Sequence, residues 1–179
     1  MTTAPTLFLT VGLPATGKTT AARRLETEHG ALQLSKDEWM KALYGAENPE
    51  AASDVIEGRL VQIGLRALEL GCDVVIDFGL WGRDERSALR QAAADRGAQA
   101  VVLAFSATRE EQLLRHAQRL AAEPGSTWPI TEQELDAWAR SYQEPTPGEI
   151  DGSEPIDAPP PPFSSWDDWR ADRWPSAIT

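Results

Sequence analysis

The chain has one cysteine, Cys72, in 179 residues, so a disulfide framework and a cysteine-based metal site are both excluded. Basic residues are also scarce, 17 against 28 acidic, and the net charge of −11 disfavours a polyanion partner such as duplex DNA. The N-terminal stretch Met1-Thr2-Thr3-Ala4-Pro5-Thr6 carries no positive charge and no long apolar run follows it. Neither a secretory leader nor a membrane-spanning helix is expected, and a cytoplasmic location fits best. No internal repeat is present.

The charge is uneven. Residues 144–179 hold eight acidic and two basic residues, leaving the first 143 only mildly acidic. Seven of the thirteen prolines fall between Pro145 and Pro162, and apolar periodicity ends at Glu144. The expected organisation is a folded domain over 1–143 and a Pro/Trp-rich acidic extension over 144–179. The run Pro159–Pro162 reads as polyproline II. Trp166, Trp169 and Trp174 beyond it are expected either to dock on the core or to bind a partner from a flexible tail.

Against this background one stretch stands out: Gly12-Leu13-Pro14-Ala15-Thr16-Gly17-Lys18-Thr19, a complete G-x-x-x-x-G-K-[ST] loop. The apolar run Leu7–Val11 before it reads as a buried strand, and the segment from Thr20 to about Glu28 reads as a helix. Strand, loop and helix together gather backbone N–H groups and a helix N-terminus around one point, where a polyphosphate fits. Gly12 and Gly17 permit the tight wrap, Lys18 sets a cation on the β/γ-phosphates, and the Thr19 hydroxyl suits Mg²⁺.

The remaining elements alternate. Strand 2 covers about 31–34, and Ser35 with Glu38 forms a capping-box pattern opening a helix to about Tyr44. Asn48-Pro49 heads a helix to about Leu70, with Ile56, Leu60, Ile63, Ala67 and Leu70 as its apolar face. Strand 3 covers 72–77, a helix 83–96 and strand 4 residues 99–105. Capping boxes at Thr108 and Thr131 open two more helices, ending near Ala122 and Tyr142. Strands alternating with helices imply an α/β fold, a parallel sheet covered on both faces.

Ligands in such a sheet bind beyond the C-terminal strand edges. Asp37, just after strand 2, is therefore either a base for an attacking hydroxyl or merely a first-turn acid favoured by the helix dipole. Asp77, placed at the end of strand 3, has the position of a carboxylate that holds Mg²⁺. Lys36, Trp39 and Trp81 could frame an acceptor. Arg115 and Arg119, four apart on one helix face before Pro124-Gly125, could close over bound ATP or simply face solvent. His116 between them has no identifiable His or Ser partner and is assigned no catalytic role.

The segments Val11–Thr20, Leu34-Ser35-Lys36-Asp37-Glu38-Trp39 and Val74–Trp81 resemble the small P-loop kinases, a group that includes polynucleotide 5′-hydroxyl kinase, chloramphenicol phosphotransferase, zeta toxins and gluconate kinase. The resemblance covers about residues 6–143. It implies a three-layer α/β/α fold with strand order 2-3-1-4-5 and a helical lid at about 109–128. It also implies ATP and Mg²⁺ as cofactors, Asp37 as general base, and lid arginines Arg119 and Arg115 on the ATP phosphates. Residues Gly12 through Thr20 would hold the nucleotide and Thr19 with Asp77 the metal. Two departures bear on the acceptor. Met40 stands where polynucleotide kinases carry an arginine, and Phe78-Gly79 where they tend to show Thr-Asn. These departures favour a small-molecule hydroxyl over a nucleic-acid end. A nucleotide-binding regulatory protein remains a third reading, and GTP remains an alternative to ATP.

Overall fold

The computed structural model describes residues 4–176; Met1–Thr3, part of the N-terminal stretch considered above, lie outside the described residues. Strands β1 (Thr6–Val11), β2 (Leu32–Ser35), β3 (Val74–Gly79) and β4 (Gln99–Ala104) form one parallel sheet in the order β2-β3-β1-β4. β1 lies central, with Leu9 opposite Ile76 on one side and Val102 on the other. The order follows the first four positions that the kinase resemblance implies. No fifth strand forms among the described residues.

Alternation along the strands covers both faces. Leu7, Leu9, Val11, Val74 and Ile76 point into one core; Phe8 and Val75 point into the other with Ala22 and Leu25. The latter pair belongs to α1 (Lys18–His29), which ends at Gly30 in a left-handed cap. The larger core takes α3 (Glu50–Glu69), α4 (Arg83–Ala94) and three tryptophans of the C-terminal segment.

Several local expectations need correction. In α2 (Lys36–Tyr44), Ser35 is the N-cap but its side chain makes no cap bond, and Glu38 instead meets Arg23 at 3.1 Å. In α3 the cap is Pro49, not Asn48, because its ψ of 117° is extended and Glu50 is the first helical residue. The buried face of α3 is Ile56, Leu60, Val61, Gly64, Leu65 and Leu68, while Ile63 and Leu70 are 38% and 67% exposed. An average step of 3.5 residues drifts off the true helical period within two heptads. Gly64 marks the close approach: a Cβ there would stand 3.0 Å from the Leu34 side chain. Asp77 lies within β3 rather than at its end, since pairing continues to Gly79. Cys72 precedes the strand and is exposed.

α5 (Arg109–Ala122), in the stretch expected to form a lid, and α6 (Glu132–Ser141) after it both carry complete capping boxes, at Thr108 and Thr131. After Glu144 the chain is not featureless: α7 (Pro147–Asp151) and α8 (Trp166–Arg173) form there. Pro161 and Pro162 sit in a turn closed by the Phe163 N–H on the Pro160 carbonyl, so the proline run does not stay extended.

The extension is docked. Trp166, Trp169 and Trp174 are buried and meet edge to face, with centroids 5.6 and 5.7 Å apart. α7 packs against β4. Its Glu149 receives two hydrogen bonds from the fully buried Arg86 of α4, at 2.8 and 3.1 Å. Arg86 Nη1 also donates to the carbonyls of Leu80 and Gln143, so no part of this buried charge is left unpaired. No helix among the described residues is long and apolar enough to cross a membrane.

Candidate active site

The loop between β1 and α1 is wound by its glycines. Gly12 has φ of +151° and lies so close to the Phe105 carbonyl that a Cβ would come within 2.4 Å of it; only glycine fits. Its N–H donates to the Gly79 carbonyl at 3.0 Å, tying the loop to the end of β3. Gly79, at φ +95°, has no room for a side chain beside the Trp81 indole. That indole in turn donates to the Gly12 carbonyl at 3.1 Å.

Lys18 Nζ folds back over the loop and donates to the Leu13 carbonyl at 2.7 Å, which also accepts from Thr16 Oγ1 at 2.8 Å. Burial lowers its pKa from 10.5 to about 8, although Asp77 and Asp37 act in the opposite sense. A partly dehydrated cation inside a ring of backbone amides is a fit for a polyphosphate.

Asp77 is buried in β3. Thr10 Oγ1 donates to its Oδ1 at 3.2 Å, and the Thr19 hydroxyl lies near the same carboxylate. Burial pushes its carboxyl up, with Thr19, Lys18 and Thr10 acting against that. Among the described residues no three His, Cys, Asp or Glu side chains cluster tightly enough to hold a metal alone. One hydroxyl and one carboxylate suit Mg²⁺, which draws its other oxygens from phosphates and water.

Asp37 stands on the first turn of α2, 68% exposed by side chain, with its Oδ1 3.7 Å from Lys36 Nζ. It interacts electrostatically with Lys18 and Asp77, so Lys18, Asp37 and Asp77 converge at the C-terminal edge of the sheet. Arg119 is exposed on α5 and acts on the Lys18 charge; Arg115 reaches the Ala15 carbonyl at 3.4 Å. Thr20, at the foot of α1, is exposed.

A cavity of about 530 Å³ adjoins this centre. Lys36 and Trp81 line it, while Trp39, 46% exposed, is not among its walls. Sequence reasoning missed most of the lining, which comes from α3, α4 and α8, including Asp54, Glu57, Asp84, Glu85 and Arg173. It also missed Gln112, buried in α5, whose Nε2 donates to the Pro14 carbonyl at 2.9 Å and anchors α5 to the loop. His116 makes a structural contact: its Nε2 accepts the Ile130 N–H at 3.1 Å, tying α5 to the chain ahead of α6. Trp128, between α5 and α6, reaches the α2–α3 connection, donating to the Ala46 and Glu47 carbonyls at 3.2 Å.

Comparison with known proteins adds the following. Residues 7–145 match the family described as the AAA domain. Over 83 residues, 40% of the chain, the sequence is 39% identical to an adenylate kinase of Sphingopyxis alaskensis; that match spans 37% of the relative's length. Among solved structures, a candidate kinase of Chloroflexus aurantiacus superposes with a TM-score of 0.65 at 20% identity, over 88% of this chain and 86% of that one. Kti12 of Chaetomium thermophilum, solved with ADP-AlF3, superposes with a TM-score of 0.64 at 19% identity, over 97% of this chain and 99% of its own. At these identities the two structures share a fold with this chain.

Proposed function

The chain belongs to the AAA domain family, and from that membership and the site's geometry we propose that it is an ATP- and Mg²⁺-dependent phosphotransferase acting on a small-molecule hydroxyl. The observation that carries this reading is the convergence of Lys18, Asp77 and Asp37 at one sheet edge, with a separate cavity opening beside Lys36. A nucleotide-binding loop alone needs no such cavity.

In this reading Gly12, Leu13, Pro14, Ala15, Thr16, Gly17, Lys18, Thr19 and Thr20 hold the triphosphate. Asp37 Oδ takes the proton from the acceptor hydroxyl as the oxygen attacks the γ-phosphorus. The bond from that phosphorus to the β–γ bridging oxygen breaks, and ADP leaves with the electron pair. Lys18 offsets charge on the β/γ-oxygens, and Arg119 with Arg115 approaches from the lid. Bound Mg²⁺ would neutralise phosphate charge, with Thr19 and Asp77 as the residues to hold it. Lys36 orients Asp37 through their ion pair and faces the acceptor with Trp81.

The catalytic portion is residues 1–143 with the lid at about 109–128, and 144–179 is an extension that completes a wall. A cytoplasmic location suits an ATP consumer with one unpaired cysteine. The buried tryptophans of α8 do not favour a free effector tail. The acidic cavity does not favour a polynucleotide end. The test is transfer of γ-labelled phosphate from ATP across a panel of hydroxyl compounds and a 5′-hydroxyl oligonucleotide. Labelling of the oligonucleotide alone overturns the small-molecule assignment.

A further inference from the structure

The cavity beside Asp37 is mixed in character, with Phe78 and Trp81 giving an aromatic side and five carboxylates, Glu50, Asp54, Glu57, Asp84 and Glu85, giving the polar one. Two cations, Lys36 and Arg173, also face it. Where those cations go decides what charge is left. Arg173, reaching in from α8, meets Asp54 at 2.6 Å, Glu85 at 2.8 Å and Glu57 at 3.1 Å. Lys36 lies 3.6 Å from Glu57. Three carboxylates are thereby consumed within the wall, and Trp174 Nε1 further secures Glu57 at 3.0 Å.

Asp84 and Glu50 are left over. Neither has an ion-pair or side-chain hydrogen-bond partner among the described residues, and both line the cavity. Asp84 is half-buried on the first turn of α4, where the neighbouring Arg83 is taken by Glu149, Glu154 and Asp157. A carboxylate partly removed from water and unpaired gains most from a cationic hydrogen-bond donor. Charge of this sign across one wall also repels anions from the mouth.

We infer that the acceptor is an amine-bearing hydroxyl compound of amino-sugar or aminocyclitol size, its ammonium seated on Asp84 and its hydroxyl presented to Asp37. This rests on the phosphotransferase reading of the same site. The volume of about 530 Å³ suits one or two six-membered rings. Trp81 supplies a flat apolar face against which a sugar ring can stack, while its indole N–H stays bonded to the phosphate-binding loop. The C-terminal helix is part of the acceptor site: Trp169 and Arg173 close it, and Arg173 holds three of its carboxylates in place.

The experiment measures binding and transfer separately, on the full chain at pH 7. Binding of glucosamine, glucose and gluconate, and of 2-deoxystreptamine against inositol, is measured by calorimetry with a non-hydrolysable ATP analogue and Mg²⁺ present. Transfer is then measured with γ-labelled ATP. The amine member of each set is expected to bind about tenfold or more tightly than its neutral counterpart, and gluconate least. Asp84→Asn is expected to remove that preference while nucleotide affinity stays unchanged; Asp84→Glu restores part of it. Glu50→Gln, on an exposed position, gives a smaller loss in the same direction. Equal or better binding of glucose, inositol or gluconate, or no binding of any amine, overturns the inference. Amine binding without transfer upholds the ammonium seat at Asp84 but overturns the phosphotransferase reading, and with it the bound amine's role as acceptor.

Discussion

Trp174 Nε1 donates to Glu57 Oε2 at 3.0 Å, with Trp174 fully buried and Glu57 nearly so. The residue that caps the last helix thus reaches back across more than a hundred residues to a carboxylate that lines the cavity beside Lys36. Burial raises the Glu57 carboxyl, and Lys36, Arg173 and the Trp174 bond counter it.

Replacing Trp174 by Ala removes both a core side chain and that bond. A loss of about 3–5 kcal/mol of unfolding free energy is expected, from cavity formation in a close-packed site. Urea denaturation measures it. An unchanged midpoint would mean that the extension contributes nothing to the fold.

The buried pair Arg86–Glu149 ties α7 to α4. Glu149→Gln leaves Arg86 without its counter-charge and is expected to cost about 3–5 kcal/mol. The pH dependence has a definite sign. Burial alone would raise the Glu149 carboxyl, but the Arg86 bonds hold it below the usual 4.5. Its contribution is therefore present above about pH 4.5 and lost as pH falls through the lower folded value. Glu149→Gln should flatten that acid limb; an identical acid limb in both proteins contradicts the pairing.

Lys18 in the free protein titrates near 8. A polyphosphate binds the charged ammonium, so nucleotide affinity is expected to be level below about pH 8. Above it, affinity should weaken by up to tenfold per pH unit, because binding must then take up a proton. Calorimetry between pH 6.5 and 9.5 reads this. Lys18→Met should bind more weakly and show no such step; a step that survives the substitution belongs to another group.

His116 accepts the Ile130 N–H, which requires an unprotonated Nε2. Burial and then Arg119 lower its pKa below 6.5. The folded state therefore holds its stability above pH 6.5 and loses it as pH falls from there toward the lower folded value. His116→Gln can keep the bond through its amide oxygen without titrating. Thermal midpoints at pH 7.5 and 5.5 should drop more for the native chain than for the variant. Equal drops contradict a bracing role for His116.

The loop and its flanking strand and helix were legible because their spacing is dictated by backbone geometry around a phosphate. Helices α5 and α6 were legible for a similar reason: Thr108 with Glu111 and Thr131 with Glu134 form local capping boxes, complete within four residues. What failed was in part local: α7 carries the same capping box, Thr146 with Glu149, and Pro147 in its first turn, but the surrounding prolines masked it. The rest was long-range, since the place of α7 is set by Arg86 sixty-three residues away. The α3 face was misread because Val61, Leu65 and Leu68 are chosen by the sheet and by α4 and α8, while Gly64, the sign of close approach, looks like a weak point in a helix. The wall of the cavity beside Lys36 was invisible for the same reason. Asp84 and Glu85 read as ordinary first-turn acids of α4, and only the docking of α8 turns them toward a cavity.

The most direct measurement is single-turnover transfer of γ-labelled phosphate by the native chain and by Asp37→Asn, with nucleotide affinity measured alongside. The expected result is transfer to a hydroxyl compound by the native chain, a loss of about 10²-fold or more in the variant, and near-equal ATP binding in both. Undiminished transfer by Asp37→Asn contradicts Asp37 as base, and a native chain that binds ATP yet transfers phosphate to no hydroxyl compound contradicts the proposed function.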